Sequence, residues 1–160
     1  MTKINYRKQC DPANPDFRLS SSPFYLMAHA DFNYHKDMSV VLMKYGVTKS
    51  MYRIMTVLRE YEPSNIGFLA DISLNKRNTT SRIVERMVSM GLANASPNPE
   101  DSRVTEVLLT KKGRDLLDTL TPIVGLQFLR AMKGVSNAEI RQLIETMQKI
   151  VSNLEKLSIE

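Results

Sequence analysis

Apolar side chains recur every three or four residues along most of this chain, and the period changes in one short stretch only. In residues 24–45 the positions Phe24, Met27, Ala28, Tyr34, Met38, Val41, Leu42 and Tyr45 follow the helical repeat. The serines before them end in a helix start, Pro23 suits the first turn, and Gly46 stands where a left-handed cap would be. This spacing predicts a long first helix of about six turns. Thr48 can cap a second, with Met51, Tyr52, Met55, Val57 and Leu58 on its inner face, until Pro63-Ser64-Asn65 stops it. The apolar segment 66–72 and the turn Ser73-Leu74-Asn75 lead into a helix over 75–90. Its inner line is Ile83, Val84, Met87 and Val88, and Gly91 closes it. Three short helices with a turn before the last predict a helix-turn-helix.

After Gly91 the period shortens. Residues 92–95 can form a strand, residues 104–109 alternate well enough for a second, and the polar, Pro-rich stretch 96–103 between them cannot pack. A hairpin directly after a helix-turn-helix is a wing. Thr110 starts another helix reaching about Met132, with Leu116, Leu117, Leu120, Ile123 and Val124 on one side; Pro122 predicts a kink or break, and Gly134 an end. Ser136 and Glu139 form a capping box for the last helix, whose stripe is Ile140, Leu143, Ile144, Met147, Ile150, Val151, Leu154 and Leu157. So long and regular a stripe predicts pairing with a second copy, a homodimer. Before all this, Asp11-Pro12, Asn14-Pro15 and the serines at 20–22 repeatedly break regular structure.

The expected fold is therefore mostly α with a small β-hairpin wing. Residues 1–22 form an unstructured arm, 23–46 and 114–160 a helical dimerisation region, and 47–113 a winged helix-turn-helix for DNA binding.

Composition narrows the chemistry. The 160 residues suffice for one domain with a proper core, and the single cysteine, Cys10, removes a disulfide framework, a four-cysteine zinc site and a CxxC pair. No apolar run reaches membrane-spanning length and the charged first residues lack a secretory core, so a soluble, cytoplasmic protein is expected. His29 and His35 stand six apart, not at the spacing that puts two ligands on one helix face. With no Gly-rich phosphate loop, nucleophile elbow or carboxylate pair, neither an enzyme nor any metal or cofactor is expected.

Lysine and arginine exceed aspartate and glutamate by 22 to 17. The location of that excess says more than its size. Residues 75–90 carry Lys76, Arg77, Arg82 and Arg86 against Glu85 alone, while residues 136–160 are slightly acidic. Asn75, Lys76, Arg77, Asn78, Thr79, Thr80, Ser81 and Arg82 open that helix, with Arg86 a turn further on. Such side chains read guanine and adenine edges or hold phosphates, and a helix N-terminus favours phosphate. In the wing, Arg103 can enter the minor groove of double-stranded DNA, and Asp101 can hold its guanidinium by a bidentate pair. A helical dimerisation protein without DNA binding is the alternative, but it leaves the basic helix and the wing without purpose.

These residues carry a resemblance. Gly91-Leu92, Asp101-Ser102-Arg103 and residues 107–113, with Leu69-Ala70, residues 79–84 and Met87 upstream, resemble the helix-turn-helix and wing signature of MarR-type transcription regulators, over about residues 24–157. The resemblance implies an obligate homodimer built from the first and last two helices, binding a pseudo-palindromic operator and released by an effector. One departure is Ala95, where the family usually has a basic residue; another is the pair Pro97 and Pro99 in the wing. Family members sense an oxidant or a small aromatic acid. Cys10 precedes the first helix, where oxidant sensors carry their cysteine, so a redox role is the lesser reading. The expected effector is an aromatic acid or its coenzyme A thioester, between the dimer helices and the DNA head. Tyr25, His29, Phe32 and Asn33 of the first helix and Tyr52, Arg53 and Met55 of the second would line its site, with Arg53 or His29 meeting the acid.

Overall fold

The helical repeats become helices with ends within about two residues of those expected. The computed structural model describes residues 5–156. Helices α1 (Tyr6–Cys10), α2 (Pro23–Lys44), α3 (Lys49–Tyr61), α4 (Ile66–Ile72), α5 (Arg77–Ser89), α6 (Lys111–Ala131) and α7 (Asn137–Lys156) are joined by strands β1 (Ser64–Asn65), β2 (Ala93–Pro97) and β3 (Thr105–Leu109). The sheet is antiparallel in the order β1-β3-β2, with Ala93 opposite Leu109 and Pro97 opposite Thr105. The fold is mostly helical with a small wing, a winged helix-turn-helix. Strand β1 was not expected: at two residues it offers no alternation to read.

The chain divides into two compact units, residues 1–125 and 126–160. In the first, one core gathers Leu42 from α2, Met51, Ile54, Met55 and Leu58 from α3, Leu69 from α4, Val84 and Met87 from α5, Val107 from β3, and Leu117 and Leu120 from α6. The expected inner line of α2 is only partly buried. Met38 and Leu42 are its buried apolar residues, while Phe24 and Tyr45 stay exposed. Val88 of α5 is exposed as well. Gly46 and Gly91 adopt φ of 71° and 69°, so both expected left-handed caps are present. Pro122 neither ends nor interrupts α6, because Leu117 and Leu120, both fully buried, hold the preceding turn in place.

The arm corrects an expectation: residues 5–22 are folded. Asn5 caps the short α1, Asp11 and Asn14 accept from Ala13 N and Asp16 N in tight Asx turns, and Arg18 N donates to Gln9 O at 3.0 Å. Cys10 Sγ donates to Ser21 O at 3.0 Å. Local side-chain hydrogen bonds thus build structure where prolines suggested none.

In the second unit, the capping box forms as expected. Ser136 N donates to Glu139 Oε2 at 2.8 Å, and Glu139 N donates to Ser136 Oγ at 3.3 Å. Helix α7 buries no residue, and Leu143, Ile144, Val151 and Leu154 are all at least half exposed. Leu157, at the end of the expected stripe, lies outside the described residues.

One close approach is unforgiving. A Cβ on Gly113, in the first turn of α6, would stand 2.0 Å from the Leu92 carbonyl oxygen, whereas one on Gly125 would meet nothing within 4 Å. Gly113→Ala is therefore expected to lower stability by about 1–3 kcal/mol or more. Gly125→Ala, in the same helix, should instead gain up to about 1 kcal/mol. Thermal unfolding of the two variants checks the contrast; similar midpoints would contradict it.

Candidate nucleic-acid interface

The basic helix is α5, and it starts two residues later than expected. Lys76 is its N-cap; an ammonium carries no acceptor, so its side chain cannot cap the first-turn N–H groups. Asn75 lies ahead of the helix, where its side chain donates to Ser73 O and Ser73 Oγ at 3.2 and 2.9 Å. Arg77, Asn78, Thr79, Arg82 and Arg86 are exposed, and Ser81 is half-buried with its hydroxyl donating to Arg77 O. Thr80 is a correction. It is fully buried, and its hydroxyl oxygen has no partner among the described residues, because position 80 falls on the face that carries Val84 and Met87 inward.

The guanidinium of Arg77 folds over the start of α4. A Cβ on Gly67 would lie 3.0 Å from Arg77 Nη2, so the missing side chain leaves room for it. Arg77 and Arg103 both line a cleft of about 380 Å3 between α4, α5 and the wing, together with Asn65, Ser81 and Thr105. A helix and a hairpin thus present two cations to one groove.

Asn98 organises the wing tip, a role that no sequence pattern announced. Its Oδ1 accepts from Glu100 N at 2.8 Å and Asp101 N at 2.9 Å, and its Nδ2 donates to Glu106 Oε1 at 2.6 Å. Asp101 does not clamp the Arg103 guanidinium. Its Oδ1 accepts from the Arg103 backbone N–H at 3.0 Å, an Asx turn two residues long that is too tight for the side chain to fold back. Among the described residues, the exposed Arg103 side chain forms no ion pair.

The expected effector residues divide. Tyr25 and His29 stack on α2 with ring centroids 5.6 Å apart, and these two, Phe32 and Asn33 are all exposed. Tyr52 is half-buried in α3, where burial raises its phenol above the ordinary value. Met55 is a correction: it is wholly inside the core of the head. Arg53 turns towards the helix-turn-helix, donating to Ser73 O at 3.1 Å.

A carboxylate of the chain itself already sits among the cations of this region. Asp31 Oδ2 accepts from Lys49 Nζ at 3.0 Å, and Asp31 Oδ1 lies 3.1 Å from His35 Nδ1. The Lys49 hydrogen bond, with smaller contributions from the charges of His35, Lys49 and Arg53, lowers the Asp31 carboxyl below its ordinary 3.8. Sequence reasoning passed over Asp31 and Lys49, which are 18 residues apart on different helices.

Comparison with known proteins agrees with this geometry. The family described as ArnR1-like, winged-helix domain matches residues 38–127. The HTH-type transcriptional repressor IacR of Pseudomonas putida is 31% identical over 147 residues, covering 92% of this chain and 88% of that one. A MarR-family transcriptional regulator from Silicibacter pomeroyi superposes with a TM-score of 0.78 at 22% identity, covering 89% of this chain and 94% of its own. BpsR of Bordetella bronchiseptica, whose DNA binding is regulated by 6-hydroxynicotinic acid, gives 0.75 at 18% identity, covering 84% and 96%. The class these features define is the winged-helix transcription regulator. Within it, the chain belongs to the ArnR1-like winged-helix domain family and shares its fold with MarR-family regulators.

Titration tests the α2–α3 junction. The Asp31 carboxyl should titrate below 3.8 and return towards that value in Lys49→Ala. Because its folded value is depressed, its stabilising contribution is present above about pH 4 and is lost as pH falls through the folded value. Carboxyl NMR shifts measure this directly; equal Asp31 values in the two proteins would remove the Lys49 bond as the cause.

Proposed function

We propose that the protein is a cytoplasmic homodimeric repressor that grips a pseudo-palindromic operator with two winged heads and lets go on binding an aromatic acid or its coenzyme A thioester. The observation that carries the DNA part is the convergence of Arg77 and Arg103 on one cleft beside the start of α5. On this reading Lys76, Arg77, Asn78, Thr79, Ser81, Arg82 and Arg86 address the major groove. Arg103 enters the flanking minor groove, with Asp101 and Asn98 shaping the tip. Asn75 sets the turn, and Thr80 packs behind the reading face.

Dimerisation rests on surfaces that one protomer leaves uncovered. Leu143, Ile144, Met147 and Val151 line an apolar groove on α7, and α2 exposes Phe24, Phe32, Val40 and Met43. An obligate interface of this kind buries more than about 2,000 Å2. The dimer then sets the two recognition helices about one turn of DNA apart, roughly 10 base pairs.

Release needs an effector that binds the DNA-incompetent arrangement more tightly, and a hundredfold preference shifts the balance by about 2.7 kcal/mol. The aromatic face of Tyr25, His29 and Phe32, with Tyr52, offers such a ligand its walls. Its acid competes with Asp31 for Lys49 Nζ and meets Arg53 or His29. Regulation of BpsR by an aromatic acid supports this class of effector.

Binding to a duplex selected by this protein from a random library tests the DNA contacts. Arg103→Ala should cost about 1–3 kcal/mol, and Arg82→Ala should reduce the salt slope by about one. Unchanged affinity in both variants would move the interface elsewhere. For the effector, a panel of benzoates, hydroxycinnamates and their coenzyme A thioesters should release that duplex, and Asp31→Asn should lower the concentration required. Release that survives unchanged in Arg53→Ala and His29→Ala alike would refute the site.

A further inference from the structure

The base of the wing is held by an arrangement that the DNA contacts do not use. Strand β1 pairs Ser64 with Val107 and Asn65 with Glu106. The same register puts Glu62 opposite Leu109, where β1 would continue, yet the strand is only two residues long. Leu109 is nevertheless satisfied on that side. Its N–H donates to Glu62 Oε2 at 3.0 Å, and its carbonyl accepts from Arg114 Nη1 at 2.5 Å. Arg114 Nη2 in turn donates to Glu62 Oε1, closing the ring. A neighbouring strand supplies the same pair, one acceptor and one donor, from its backbone. Here a carboxylate and a guanidinium supply both, joined by a charge-assisted bond.

The clasp stands next to two other grips at the start of α6, one from its first turn and one from Thr110 just ahead of it. Lys112 Nζ donates to Met90 O at 2.7 Å, at the end of α5, and Thr110 Oγ1 donates to Gly91 O at 2.7 Å. One turn of helix therefore holds both the end of the reading helix and the root of the hairpin. The Glu62 side chain is 21% exposed, so its charge is largely spent inside the fold.

We propose that Glu62 and Arg114 are positioning residues for DNA binding: their side-chain clasp replaces the strand neighbour that Leu109 lacks and sets the pitch of the wing against α5. Arg103 and Arg77 then stand on either side of one cleft, each aimed at its own groove of the duplex. The inference rests on the reading of Arg103 as a DNA contact.

The test is a set of double-mutant comparisons with the full-length protein and the duplex it selects from a random library. In the intact clasp, Arg103→Ala should weaken binding about tenfold. In a Glu62→Ala background the same change should cost less than about twofold, because a wing off its pitch no longer delivers Arg103. Arg82→Ala, on the reading helix, should cost the same in both backgrounds. Hydrogen exchange should quicken at the Leu109 amide in Glu62→Ala while the Leu58 amide, in a helix of the same core, stays slow. Arg114→Lys, which keeps the charge and loses the two-pronged grip, should fall between the two backgrounds; it takes the place of Glu62→Ala should that variant not fold. An equal tenfold cost of Arg103→Ala with and without the clasp overturns the positioning role and leaves the wing contact standing. No cost of Arg103→Ala in the intact clasp overturns both.

Discussion

The backbone of α6 touches the backbone of Leu92 so closely that only a glycine can stand at position 113, and the arrangement of the head follows from that contact. Leu92 is the last of the three residues between α5 and β2, so the contact fixes where β2 begins. Around it, Thr110 N donates to Leu92 O at 3.0 Å, and Gly113 N donates to Thr110 Oγ1 at 3.0 Å. Backbone groups that would be costly to bury alone are thereby all paired at one junction. The apolar core beneath, from Val107 through Met87 to Leu117, makes that junction stiff rather than merely bonded.

A stiff junction matters because both elements that line the Arg77–Arg103 cleft, α5 and the wing, hang from it. Recognition of a duplex by a helix in one groove and a hairpin in the next needs a fixed angle between them, since a cation misplaced by a few ångströms meets water instead of phosphate. The wing tip repeats this logic on a smaller scale. Asn98 and Asp101 spend their side-chain oxygens on backbone N–H groups, and among the described residues the Arg103 guanidinium forms no ion pair. Charge is divided along the chain as well: α5 carries Arg77, Arg82 and Arg86 against Glu85 alone, while α7 is balanced, three acids against three bases, and exposes Leu143, Ile144, Val151 and Leu154.

Much of this was legible in the chain. The helices with an apolar repeat, the Gly46 and Gly91 caps and the Ser136–Glu139 box all depend on neighbours within four residues, and the sequence displays such relations directly. The wing was visible as a change of period around a Pro-rich loop. What stayed hidden depends on partners far along the chain or on a single turn of rotation. Glu62 and Arg114 are 52 residues apart, and Arg53 finds Ser73 only after α3 and α4 have packed. Thr80 looks like its polar neighbours until the helix phase turns it inward, and Met55 looks like a pocket wall until the core closes over it. The folding of residues 5–22 was missed because Asx turns and a thiol hydrogen bond leave no periodic trace.

The central claim is that helix and wing read DNA as one rigid head, twice per dimer. Hydroxyl-radical footprinting on the selected duplex tests it most directly. The account predicts two equivalent protected segments about 10 base pairs apart, each a major-groove contact flanked by a protected minor-groove stretch, with Arg103→Ala erasing the flanks alone. A single protected segment, or flanks that persist in Arg103→Ala, would contradict it.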